Sequence, residues 1–134
     1  MSIGCGGVCK KFVEDDEFVI YEYFSYDLKN IDFRNDEKIF DGFITIGKNF
    51  LIEPELKENR KKSKRKISKK IDVGKIIHAV YELIENKKIE IENCSNTFRT
   101  DENGADAICY QLCIKIFIDY QNDGNLPEKS GVHF

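Results

Sequence analysis

Two stretches near the start of the chain, Val8 to Glu14 and Glu17 to Ser25, place apolar residues at the two-residue period of a strand. The acidic pair Asp15-Asp16 between them predicts a tight turn. In the second stretch Phe18, Ile20 and Phe24 share one face and Val19, Tyr21 and Tyr23 the other, the pattern of a central strand covered on both sides. Residues 27–37 are rich in Asn and Asp and read as a loop. Lys38 to Gly47 reads as a third strand, with Phe40, Ile44 and Ile46 on one face and Gly42 as a bulge or a close packing point. Phe50 to Ile52 extends it or forms a short strand of its own, and Pro54 ends it.

The period then changes. Asp72 is placed to cap a helix over residues 73–86, with Val73, Ile76, Ile77, Val80 and Ile84 in one apolar stripe. Lys88 to Cys94 returns to alternation, Ile89 and Ile91 inward and Glu90 and Glu92 outward. Asp101 or Asn103 caps a second helix over 103–122, which Gly124 and Pro127 stop. Its stripe of Ala105, Ile108, Cys109, Leu112, Cys113, Ile116, Phe117 and Tyr120 is widened by Ile114 and Ile118, so this helix is expected to pack centrally. Strands first, then helix, strand and helix, predict an α+β fold: a mainly antiparallel sheet from the N-terminal half, packed against two helices. With 134 residues and 41% hydrophobic content, the chain fits a single domain over 1–134 with a packed core.

Charge changes the picture at one place. Nine of the fourteen residues from Lys57 to Lys70 are basic and only Glu58 is acidic, a net +8 in a chain of net charge −3. The remaining 120 residues therefore hold about −11. Within this segment Lys61, Lys62, Lys64, Arg65 and Lys66 are the candidates for contacting phosphates, with an affinity that would fall steeply with salt. No aromatic residue interleaves them to stack on bases, and a solvated, flexible connector accounts for the same run. The end of the segment, with Ile67, Ile71 and Val73 at odd positions, has the spacing of an exposed edge strand.

The candidate chemistry is sparse. Cys5/Cys9 and Cys109/Cys113 are two C-x3-C pairs, a spacing that gives poor support to a zinc site, and the second pair lies inside the helical stripe, where cysteine behaves as a small hydrophobe. Gly4, Gly6 and Gly7 suit either a flexible terminus or a close approach by a ligand, the former being the simpler reading. His78 reads as a partly exposed helix residue, and His133 as part of a poorly ordered end. A cysteine nucleophile would need one of them beside a reactive thiol. Cys5-Gly6-Gly7-Val8-Cys9 lacks the Gly-Lys-Ser/Thr ending of a phosphate loop. Only four residues precede Cys5, too few for a lipoprotein leader, and no apolar run is long enough to span a bilayer. Five cysteines without an export signal point to reduced thiols in a cytoplasm.

These features lead to an expectation of a non-enzymatic protein-binding module without cofactor or metal, of the kind represented by small bacterial immunity proteins and antitoxins. Such a protein neutralises a toxin by covering its active surface, and an acidic surface suits a basic substrate groove. The expected contact residues are Glu14, Asp15, Asp16 and Glu17 at the first hairpin tip. A nucleic-acid-binding accessory protein using residues 57–70 is the alternative, and a small enzyme with a cysteine nucleophile a weaker one.

Overall fold

In the computed structural model the described residues are 4–61 and 64–134, with side chains described outside 57–68. The fold is α+β. Strands β1 (Cys5–Glu14), β2 (Phe18–Asp27), β3 (Gly42–Gly47), β6 (Ile89–Glu92) and β7 (Lys129–His133) form one sheet in the order β6-β3-β2-β1-β7, antiparallel at every pairing. Strands β4 (Glu55–Lys61) and β5 (Lys64–Lys70) form a separate antiparallel pair. The helices are α1 (Val73–Glu85) and α2 (Ala107–Asp123).

Both helices lie on one face of the sheet. Val19, Tyr21 and Tyr23 of β2, Ile44 and Ile46 of β3 and Ile89 of β6 are buried against Ile76, Val80 and Ile84 of α1 and the apolar residues of α2. The second helix is the centre of the core. Tyr110 and Ile114 are buried along with Ile108, Cys109, Leu112, Cys113, Ile116 and Phe117, so it is enclosed on nearly every side. Gly124, in the left-handed region at φ 74°, ends it by returning its N–H to the Tyr120 carbonyl. Asp72 caps α1 as expected. The cap of α2 is Asp106 rather than Asp101 or Asn103, because Asp101 is used to close its own turn onto the Asn103 and Ala105 N–H groups.

Several expectations are corrected. β2 is central, but its second face is not covered by a helix: Phe18 is 47% exposed there. The loop between β2 and β3 reaches that face, where Phe40 packs edge-on against Phe24 at 4.7 Å. Phe40 therefore lies opposite Ile44 and Ile46 rather than beside them, since β3 begins only at Gly42. Phe50 ends a 3-10 turn from Lys48, not a strand. From the C-terminal half the sheet takes β6, expected from Lys88 to Cys94, and β7, which was not expected. Of these, β7 contradicts the expectation of a poorly ordered end: Gly6 to Lys10 of β1 pair with Lys129 to His133.

Two of the N-terminal glycines, Gly6 and Gly7, are packing positions. A Cβ on Gly7 would sit 2.6 Å from Ile108 Cγ2, and one on Gly6 would sit 2.0 Å from the Val132 carbonyl oxygen. Gly42 is likewise a close packing point, under the ring of Tyr23.

Candidate functional site

The hairpin joining β1 and β2 carries the four acids, and the structure divides them into two pairs. Asp15 Oδ1 accepts the backbone N–H groups of Phe18 at 2.7 Å and Glu17 at 2.8 Å, which builds the turn and holds the Asp15 carboxyl below its ordinary range. Glu14 meets Lys11 at 2.8 Å and Lys48 at 2.5 Å, and those two ammonium groups depress its pKa in the same way. The cations that relieve the crowded carboxylates are thus Lys11 and Lys48. Asp16 and Glu17 are exposed, and neither side chain meets a cation among the described residues. The hairpin connects interior strands, so these acids stand at the end of the sheet and not along its edge.

A β-bulge makes this end unusual. The β1–β2 register shifts between Lys11 and Val13, so the alternation of faces is interrupted by one residue. Lys11 and Glu14 consequently both lie on the helix side and pair with each other. On the other side Phe12 and Val13 fall together, 60% and 49% exposed, beside Phe18. Phe12 packs on Phe43 at 5.6 Å. Next to them, Phe18, Ile20, Thr45 and Phe50 line a groove of about 490 Å³, with Asp15 at one end and Lys87, Lys88 and Glu90 at the other. The apolar part of this surface was hidden in the sequence because strict alternation assigns Phe12 and Val13 to opposite faces.

Four of the five thiols are in the core, and Cys5 is half-buried. Cys9, Cys109 and Cys113 are fully buried and Cys94 nearly so. Burial pushes Cys9 up to about 12, and burial likewise raises Cys109 and Cys113, so all three are protonated at neutral pH. His78 pairs with Glu82 at 3.1 Å on α1, and His133 Nδ1 hydrogen-bonds the Tyr26 hydroxyl. Neither is hydrogen-bonded to a thiol. No group of three His, Cys, Asp or Glu side chains among the described residues is arranged to hold a metal ion.

Cys94 belongs to a buried polar cluster that the sequence did not reveal. The Tyr23 hydroxyl donates to Asp106 Oδ2 at 2.8 Å and accepts the Cys94 N–H at 2.9 Å, while Asp106 Oδ1 caps α2 through the Ile108 N–H. Thr97 Oγ1 approaches Asp106 at 3.1 Å and Ser25 Oγ approaches Cys94 Sγ at 3.3 Å. With every partner satisfied and Asp106 fully buried, the cluster acts as a structural clasp between the sheet and α2.

The basic segment is a hairpin and not a loop, with Lys61 opposite Lys64 and Arg60 opposite Arg65 in its register. At its base Glu55 meets Lys75 at 2.7 Å, and Lys69 donates to the Gln121 and Asn122 carbonyls at 3.1 Å, where the end of α2 favours a cation. The side chains of Lys61, Lys64, Arg65 and Lys66, and Lys62 altogether, lie outside the described residues. No helix among the described residues is long and apolar enough to cross a membrane. Comparisons of the chain with protein-family models, with curated proteins and with solved structures find no match.

Proposed function

We propose that this chain is a non-enzymatic protein-binding module of the immunity or antitoxin kind, which neutralises a toxin-like protein by covering its basic active surface. The supporting observation is the end of the β1–β2 hairpin: Asp16 and Glu17, two acids that meet no cation among the described residues, stand beside exposed Phe12, Val13 and Phe18 on a face that neither helix covers. A binding surface needs this combination. Aromatic and aliphatic groups at its centre gain most from exclusion of water, and charges at its rim choose the partner and speed the encounter. Glu14 and Asp15 serve the fold beneath that surface, and Asp16 and Glu17 carry the recognition.

The test pairs this protein with the product of its neighbouring gene in a co-expression and binding measurement. Replacing Asp16 and Glu17 by Lys is expected to slow association by roughly tenfold at low salt, with the difference shrinking as salt rises. The thermal midpoint should hardly move, because neither side chain supports the fold. Phe18→Ala is expected to act on dissociation instead. A neighbour that does not bind, or an association rate indifferent to the charge reversal, would remove this surface from consideration.

A further inference from the structure

At the other end of the open face, away from the acidic tip, the loop between β2 and β3 folds back over the sheet and borders a half-open cavity of about 370 Å³. Its apolar lining comes from Val8, Phe24, Tyr26, Leu28 and Phe40. Phe24 and Phe40 meet edge to face, and Gly6, lying between Tyr26 and His133 in the sheet register, leaves room for the tyrosine hydroxyl to reach the imidazole across β1. Asn35 Nδ2 anchors the loop to the Ser25 carbonyl at 3.1 Å. The chain takes left-handed backbone at Asn35 (φ 53°) and at Lys38 (φ 52°), which turns the loop down onto the sheet. For a lysine that conformation costs on the order of 1–2 kcal/mol, so tertiary contacts hold the loop in place.

The rim carries the opposite sign to the net charge of the chain. Arg34, Lys38, Lys129 and His133 line the cavity, with Asp36 as the one carboxylate. Asp36 is 3.7 Å from Arg34, which leaves Lys38 and Lys129 with no carboxylate partner among the described residues. In a chain of net charge −3, whose residues outside 57–70 sum to about −11, two ammonium groups lining an aromatic pocket run against the general field. The cation stacked on Phe40 itself is Lys10, 4.3 Å from the ring centre and paired with Glu22. A cavity within the roughly 300–1,000 Å³ range of small-molecule sites, mostly apolar with a few convergent polar groups, is the form that binding pockets take.

We propose that this cavity binds a small organic anion with a flat, apolar body: the ring lies against Phe24, Phe40 and Tyr26, and the anionic group reaches Lys38 and Lys129. Neither half suffices alone. A bare inorganic anion gains nothing from the aromatic floor, and a neutral ring leaves the lysines solvated as before. This site goes beyond the partner-binding surface described above and is independent of it, lying at the opposite end of β1 and β2.

The experiment is an NMR titration of the full chain with phenyl phosphate, benzoate, phenol and inorganic phosphate, each up to roughly 10 mM. Phenyl phosphate or benzoate is expected to bind saturably, with shifts concentrated at Val8, Phe24, Phe40 and His133. Phenol and inorganic phosphate should bind at least about tenfold more weakly. The double variant Lys38→Met/Lys129→Met keeps the aliphatic stems and should lose about tenfold in affinity for the aromatic anions. Because both lysines are exposed, its spectrum should otherwise match the parent. The proposal is overturned if neither aromatic anion saturates, if phenol or inorganic phosphate binds as well as they do, or if the double variant binds unchanged.

Discussion

Tyr23 needs a glycine to do its work. In the β2–β3 register it stands opposite Gly42, and a Cβ there would come within 2.2 Å of the tyrosine ring. Without that Cβ the ring lies across β3 and its hydroxyl arrives between the Cys94 N–H and Asp106. Removing the hydroxyl in Tyr23→Phe keeps the ring but leaves the buried Cys94 N–H with no acceptor. The expected loss is about 1–3 kcal/mol in urea unfolding, and a loss near zero would mean that the clasp contributes nothing to stability. Part of this was readable in advance. The alternation of β2 puts Val19, Tyr21 and Tyr23 on one face, and a glycine inside a strand, as at Gly42, marks a bulge or a close packing point. The role of Asp106 was not readable, because Asp101, Asn103 and Asp106 are all able to cap a helix. What selects Asp106 is its reach to Tyr23, 83 residues away in the chain.

At the scale of elements, the two helices and β6 were legible because each has a clean period and its own cap or turn. β7 was missed for the opposite reason. Lys129-Ser130-Gly131-Val132-His133 has one strongly apolar residue and little intrinsic strand preference, and it becomes a strand by pairing with β1. The bulge in β1 was also invisible, and with it the exposed pairing of Phe12 and Val13. The same strand shows how glycines that suggest flexibility can be structural. Gly7 faces α2, where an added Cβ would approach Ile108 Cγ2 at 2.6 Å and the Phe24 carbonyl oxygen at 2.8 Å. Only the first of these can move aside, since the second is backbone. Gly7→Ala is therefore expected to destabilise the protein by about 1–3 kcal/mol, read from the shift in denaturation midpoint. A neutral or stabilising result would restore the view of this segment as a flexible terminus.

For the molecule as a whole, the decisive feature is that one face of the sheet holds the entire helical layer, and the buried thiols sit inside it. Composition leads to reduced cysteines and periodicity places Cys109 and Cys113 in the core, whereas the burial of Cys9 follows only from β1 running beneath α2. This placement predicts how stability responds to alkali. Burial raises Cys9 from 9.0 to about 12 and raises Cys109 and Cys113 as well. Below about pH 9 both folded and unfolded chains keep these protons, and the thiols add no pH dependence. Above it the unfolded chain releases them while the folded chain holds them, so each thiol lowers stability by about 1.4 kcal/mol per pH unit. Three together give a fall of about 4 kcal/mol per unit, continuing toward pH 12 where Cys9 itself ionises in the folded state. Tyr21 and Tyr23, also raised by burial, steepen the fall once the pH passes their ordinary value of 10.0. Urea unfolding in the presence of reductant should therefore show little thiol-linked change up to about pH 8.5 and a steep loss beyond it. A Cys113→Ala variant, less stable at neutral pH, should lose stability less steeply between about pH 9 and 10, by about one fifth, since Tyr26, Tyr110 and Tyr120 are raised along with Tyr21 and Tyr23 and begin to titrate in the unfolded chain over the same interval. A stability that stays flat through that interval, or a slope that the variant leaves unchanged, would mean that the thiols reach water and that the contact between β1 and α2 is looser than its packing implies.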